Sequence, residues 1–261
     1  MEIDLLPKQP LFDLTGKKAL VTGSSRGLGL VVAQALANQG AKVTLNGRNE
    51  TRLLVLKEKM KAFGWYCDIF VQDIAANNCI ESFHQFCLEK GSPHILVNCV
   101  GQRLRQSITN STDQEIIFHL HTNLNALILL SKHAAIKMQE MGQGGRIINF
   151  TSIAGKLARA GDTVYPIAKH GLEALVRSLA VEFGRFNITS NGIAPGTFAT
   201  ESNQQLANDP TQSSKVIGRN PLQRWAQPKE IAAAAVFLAS NSASYVNGHI
   251  LVVDGGFSIT F

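Results

Sequence analysis

Lys18-Ala19-Leu20-Val21-Thr22-Gly23-Ser24-Ser25-Arg26-Gly27-Leu28-Gly29 is the stretch that decides the fold. Its first five residues read as a short buried strand, and a helical run over 26–39, closed by Gly40, follows the glycines. A glycine-rich turn between a first strand and a first helix lets the backbone approach a dinucleotide pyrophosphate, and the helix N-terminus favours its negative charge. The same alternation continues outward. Strands are expected over 41–46, 65–71, 94–98, 146–150, 188–193 and 249–253, and helices over 50–63, 75–90, 112–139, 165–186 and 232–239. The strands are almost continuously apolar, as strands covered on both faces are. The expectation is an α/β fold: one Rossmann-like, doubly wound parallel sheet of about seven strands with helices on both faces. It forms a single domain over 1–261, with 1–10 as an N-terminal extension. Residues 197–220, rich in Asn, Gln, Ser and Thr, interrupt the alternation and read as a mobile substrate loop.

Composition removes several function classes. A chain of 261 residues, 45% hydrophobic and 17% charged, is neither disordered, collagen-like nor a coiled coil. The net charge of +6 is scattered. Its densest group, Lys57, Lys59 and Lys61, lies beside Glu58 and reads as a solvated helix face. No basic stripe with interleaved aromatics points to nucleic acid. Cys67, Cys79, Cys87 and Cys99 form no Cys-x-x-Cys pair, so no metal is expected, and reduced thiols suit a cytoplasmic protein. His119 and His121 are two apart and do not share a helix face, which fits packing better than ligation. There is no basic start followed by an apolar run, and no apolar stretch is long enough for a membrane span.

The remaining motifs run in one order. Asn98-Cys99-Val100-Gly101 follows the fourth strand, and Asn123 lies in the long helix. Ser152 follows the fifth strand, and Tyr165-Pro166-Ile167-Ala168-Lys169 opens the next helix. Asn191-Gly192-Ile193-Ala194-Pro195-Gly196, with Thr200 downstream, and Asp254-Gly255-Gly256 complete the series. Together with the Gly-x-x-x-Gly-x-Gly turn, and over roughly 11–256, this series resembles the short-chain dehydrogenase/reductase family. It departs from the family at Cys99 and Val100, where Asn-Ala is usual. The resemblance implies reversible hydride transfer between a nicotinamide cofactor and a keto or hydroxyl group. It implies Asn123, Ser152, Tyr165 and Lys169 as the catalytic residues. Ser152 would bond the substrate oxygen, and Asn123 would hold a water linking Lys169 to solvent. A tyrosine, with an ordinary pKa of about 10, is a poor base near neutrality, and an ammonium one helical turn away favours its ionised form. Cofactor contacts are implied at Gly23, Ser25, Arg26, Gly27, Leu28, Gly29, Asn46, Arg48, Asp73, Ile74, Asn98, Gly101, Tyr165, Lys169, Pro195, Gly196, Phe198 and Thr200.

The second strand ends Asn46-Gly47-Arg48. An acidic residue at Gly47 would bind ribose hydroxyls and repel a 2′-phosphate. Glycine there, with Arg48 and Arg26 beside it, favours NADP(H), NAD(H) being the alternative. Substrate contacts are expected from Ser152, Tyr165, Arg103 and Arg105. The two arginines in Gly101-Gln102-Arg103-Leu104-Arg105 either clamp a carboxylate or are solvated or interface arginines. Within the family, 11–16, 45–49, 194–201 and 221–225 resemble bacterial gluconate 5-dehydrogenases, which implies a sugar acid of the gluconate/5-ketogluconate type. Those enzymes carry adjacent arginines three and four residues after the strand-four glycine; here Leu104 and Arg105 occupy these positions, and Arg103 stands one residue early. One alternative is a 3-oxoacyl-acyl-carrier-protein reductase, whose acidic carrier would suit a basic surface. Another is a non-catalytic NADP-binding regulatory protein, against which the intact tetrad argues. The resemblance also implies a homotetramer that covers the apolar ending Phe257-Ser258-Ile259-Thr260-Phe261.

Overall fold

A computed structural model describes residues 10–260. The expected extension, apart from Pro10, lies outside the described residues, as does Phe261. The strands are β1 (Lys18–Thr22), β2 (Lys42–Gly47), β3 (Cys67–Val71), β4 (Ile95–Asn98), β5 (Gly145–Phe150), β6 (Ile188–Pro195) and β7 (Ile250–Val253). Among the described residues they form one seven-stranded sheet in the order β3-β2-β1-β4-β5-β6-β7, and every pair is parallel. The winding reverses between β1 and β4, so the loops after these strands part and leave a crevice at their C-terminal ends. Register levels the rim: Thr22 pairs with Asn98, and Asn98 with Asn149.

Alternation along each strand sends neighbouring side chains to opposite faces. Val21, Leu45 and Val97 face one core, built with α1 (Gly27–Asn38), α2 (Glu50–Ala62) and α9 (Ala232–Ala239). Leu20, Leu96 and Ile147 face the other, built with α3 (Cys79–Lys90), α5 (Ala126–Met141) and α6 (Val164–Phe183). Both faces are buried, hence the continuous apolar runs, and each fully buried leucine contributes about 2 kcal/mol.

Three expectations are corrected. The helical region over 112–139 is not one helix. Thr112 starts α4 (Asp113–Leu120) with a capping box, its Oγ1 accepting from Glu115 N and its N donating to the Glu115 carboxylate. A π-helical turn, His121–Asn125, then separates α4 from α5. Its cause is local: Asn123 Nδ2 donates to His119 O at 2.8 Å and competes with the main-chain ladder. The helix expected from 75 begins at Cys79, because Asp73 Oδ1 accepts from Ala75 N and holds a turn. Residues 197–220 are not irregular: a 3-10 turn, Glu201–Asn203, leads into α7 (Gln204–Asn208) and α8 (Pro210–Ile217). Proline suits the first position of α8, where no N–H is needed. No helix among the described residues is long and apolar enough to cross a membrane.

Candidate active site

A cleft of about 700 Å³ opens over the C-terminal ends of the central strands. One wall is the glycine-rich turn, where Gly23, Arg26, Gly27, Leu28 and Gly29 line it. α1 begins there without a side-chain cap and without an acidic residue in its first turn, so nothing competes with an anion for its N-terminus. A Cβ on Gly29 would stand 2.5 Å from Gly23 O, so only glycine closes this turn. Asn46 braces it from behind. Its Oδ1 accepts from Gly23 N, and its Nδ2 donates to Phe70 O and Gln72 O.

That geometry engages the side chains at three of the expected cofactor contacts within the fold. Asn46 is buried, and its amide is hydrogen-bonded within the fold. Asn98 is buried and donates to Ser131 Oγ and Asn149 Oδ1, tying β4 to β5 and α5. The Ile74 side chain belongs to the core. These side chains are scaffold, and only their main chain is available to a cofactor. Arg48 and Asp73 do meet at the ends of β2 and β3, 3.6 Å apart and open to solvent. Arg26 is exposed in the turn, and no carboxylate occupies position 47. This donor set fits the pyrophosphate and 2′-phosphate of a dinucleotide.

The reacting groups gather at the other end. Ser152 ends the β5 loop in extended conformation, and its Oγ accepts from Ala154 N at 3.1 Å. Tyr165 and Lys169 sit one turn apart on α6, with Lys169 Nζ 5.6 Å from the Tyr165 ring centre. Lys169 is buried and donates to Phe150 O at 2.8 Å. Burial pushes its ammonium below the ordinary lysine range, against smaller upward pulls from Tyr165 and Cys99; Arg103 adds the least, downward. A Cβ on Gly101 would lie 3.2 Å from Lys169 Nζ and 3.5 Å from Asn123 Oδ1, so glycine keeps these two groups in one pocket.

Asn123 lies in the π turn with its side chain engaged by the fold. Its Oδ1 accepts from Gln102 N at 2.7 Å, and its Nδ2 donates to Gln102 O and His119 O. Both amide hydrogens are used, and Oδ1 keeps one lone pair beyond its bond from Gln102 N. What the side chain does is pin the loop after β4.

That loop carries both expected arginines, and both line the cleft. Arg103 lies over Tyr165, its Cζ 4.6 Å from the ring centre, and its Nε is 3.8 Å from the buried carboxylate of Asp162. Arg105 donates to Asn203 Oδ1 at 3.3 Å. Pro195, Gly196, Phe198 and Thr200 also line the cleft, as expected, and Ser202, Asn203, Leu206 and Val216 extend that wall. Sequence reasoning missed Arg159, Asp162, Arg52 and Trp225. Arg159 and Trp225 line the cleft, and the position of Arg159 between Ser152 and Tyr165 was the available signal. Arg52 joins the glycine-rich turn to the post-β6 segment, donating to Ser25 O at 2.8 Å and pairing with Glu201 at 3.5 Å. Burial raises the Cys99 thiol, which fits a packing residue rather than a nucleophile. The cleft is thus lined by Arg26, Arg103, Arg105, Arg159 and Lys169, with no carboxylate among its lining residues.

Residues 23–258 match a family model described as enoyl-(acyl carrier protein) reductase. A gluconate 5-dehydrogenase from Gluconobacter oxydans is 36% identical over 251 residues, covering 96% of this chain and 98% of that protein. A 3-oxoacyl-[acyl-carrier-protein] reductase from Pseudomonas aeruginosa is 36% identical over 244 residues, 93% of this chain and 98% of that protein. A solved gluconate 5-dehydrogenase from Burkholderia cenocepacia J2315, in complex with NADP and tartrate, superposes with a TM-score of 0.92 at 34% identity, covering 96% of this chain and 98% of that one. These matches run over nearly the whole length and accompany a crevice at the switch point: the chain belongs to the short-chain dehydrogenase/reductase family and is an oxidoreductase acting on CH–OH groups.

Proposed function

We propose that this oxidoreductase uses NADP(H) and interconverts a hydroxyl and a keto group on a sugar acid of the gluconate/5-ketogluconate type. The observation that carries this reading is a cleft lined by four arginines and a lysine, with no carboxylate, around Ser152 and Tyr165. The cofactor, when bound, supplies or accepts the hydride. Ser152 Oγ hydrogen-bonds the substrate oxygen. Tyr165 moves a proton at that oxygen, and Lys169 beside it resupplies the proton. Arg105 holds the substrate carboxylate, and Asp162 holds Arg103 over the tyrosine ring. Arg26 and Arg48 with Gly47 favour the 2′-phosphate of NADP(H) over NAD(H). The bound NADP of the Burkholderia relative supports the same choice. Residues 197–220 serve as the substrate loop.

The second reading, a 3-oxoacyl-acyl-carrier-protein reductase, is supported by the equally identical Pseudomonas relative. Arginine-lined walls suit a small acid better than an uncharged acyl chain. The test is NADPH oxidation with 5-ketogluconate and an acetoacetyl thioester run side by side. Turnover of the keto acid, abolished in Tyr165→Phe, is expected. Turnover of the thioester alone would overturn the sugar-acid reading and leave the reductase standing.

We assign the protein to the cytoplasm, where free thiols persist. We propose a homotetramer, the assembly the family resemblance implies; Ile117 on α4 and Val181 on α6 are 67% and 87% exposed, on helices such an assembly would cover. A monomer by sedimentation would contradict this assembly.

A further inference from the structure

The charges at the substrate end of the cleft do not balance. Arg103 is matched by the buried carboxylate of Asp162, 3.8 Å away. Arg105 meets only the neutral amide oxygen of Asn203. Arg159 lines the same cleft and, among the described residues, makes no hydrogen bond or ion pair. Topology sets Arg105 and Arg159 apart from the cofactor-facing arginines. Arg26 and Arg48 follow β1 and β2. Arg105 and Arg159 follow β4 and β5, across the switch point. Arg159 also lies between Ser152 and Tyr165 in the chain, which ties its loop to the reacting groups.

Two uncompensated guanidinium groups on separate loops, with no carboxylate lining the cleft, suit a ligand with two separated anionic groups. A monoacid would occupy one arginine and leave the other facing solvent. Resting on the sugar-acid reading of this cleft, we propose that the preferred substrate is a dianion: a hydroxy or keto acid with a second anionic group, carboxylate or phosphate ester, at its far end. Arg105 takes one end and Arg159 the other.

Trp225 lines the cleft, and the other tryptophan, Trp65, stacks on Phe63 outside it, so Trp225 emission reads binding without turnover. The experiment titrates the NADP-saturated Tyr165→Phe protein, in which turnover is suppressed, with gluconate, galactarate and 6-phosphogluconate at constant ionic strength. The expected result is that at least one dianion binds about tenfold or more tighter than gluconate. Arg159→Ala should bring that ratio to about one, and Arg159→Lys should keep much of it. Whether galactarate or 6-phosphogluconate gains more identifies the second group. Equal affinity for gluconate and both dianions, or a ratio that survives in Arg159→Ala, would overturn the proposal while leaving the sugar-acid reading intact. If none of the three acids binds while the acetoacetyl thioester is reduced, the sugar-acid reading falls and this inference falls with it.

Discussion

The two ends of the cleft are built differently. The cofactor end is a strand, a turn and a helix in immediate succession, and its key positions lie within a few residues of each other. The substrate end is assembled across long gaps in the chain. Arg105 meets Asn203 across 98 residues, and Arg52 meets Glu201 across 149. Since β6 stands three places from β1 in the sheet, the second contact forms only because the post-β6 segment folds back over the strand ends. Local backbone geometry dictates the first end, and loop paths that no local rule predicts dictate the second.

Substitutions test this contrast, and the largest effect is expected at the substrate end. Tyr165→Phe removes the proton donor and should lower kcat by about 1,000-fold. Steady-state kinetics checks this, with NADPH affinity, read by fluorescence, staying within about threefold. At the cofactor end, Arg48→Ala should raise the KM for NADPH by about 10-fold or more and leave that for NADH nearly unchanged. A parallel rise for both cofactors would remove the arginine's part in selectivity. Asn123→Ala tests the brace of the substrate loop. It deletes three hydrogen bonds around buried main chain and should destabilise the fold by about 2 kcal/mol, seen as a lower Tm. The smallest effect is expected from Arg52→Ala. Its pair with Glu201 is half exposed, so a double-mutant cycle with Glu201→Ala should give a coupling below about 1 kcal/mol in NADPH binding.

The same contrast explains what was legible in the sequence. Apolar strands alternating with helices declare a parallel sheet, because only strands buried on both faces read that way. The glycine turn is legible because Gly29 must pass Gly23 O at close range. Ser152, Tyr165 and Lys169 were legible as motif positions, and all three line the cleft. Asn46, Ile74 and Asn98 were placed in the right region, but a motif does not say whether a side chain faces the cleft or the core. The π turn escaped notice because Asn123 makes its bonds to a loop that sequence alone does not locate. α7 and α8 are too short to show a helical period, so their polar residues passed for a loop. The contact of Asp162 with Arg103, like that of Arg52 with Glu201, depends on loop paths, and for Arg159 the sequence offered only its position between Ser152 and Tyr165.

The proposed function turns on Arg105, after β4, holding a carboxylate next to Ser152 and Tyr165. The most direct measurement compares NADPH-dependent reduction of 5-ketogluconate by the unaltered protein and by Arg105→Ala. The account predicts turnover, with KM raised by about 10-fold or more in the variant and kcat within about threefold. Absence of turnover in the unaltered protein, or an unchanged KM in the variant, would contradict it.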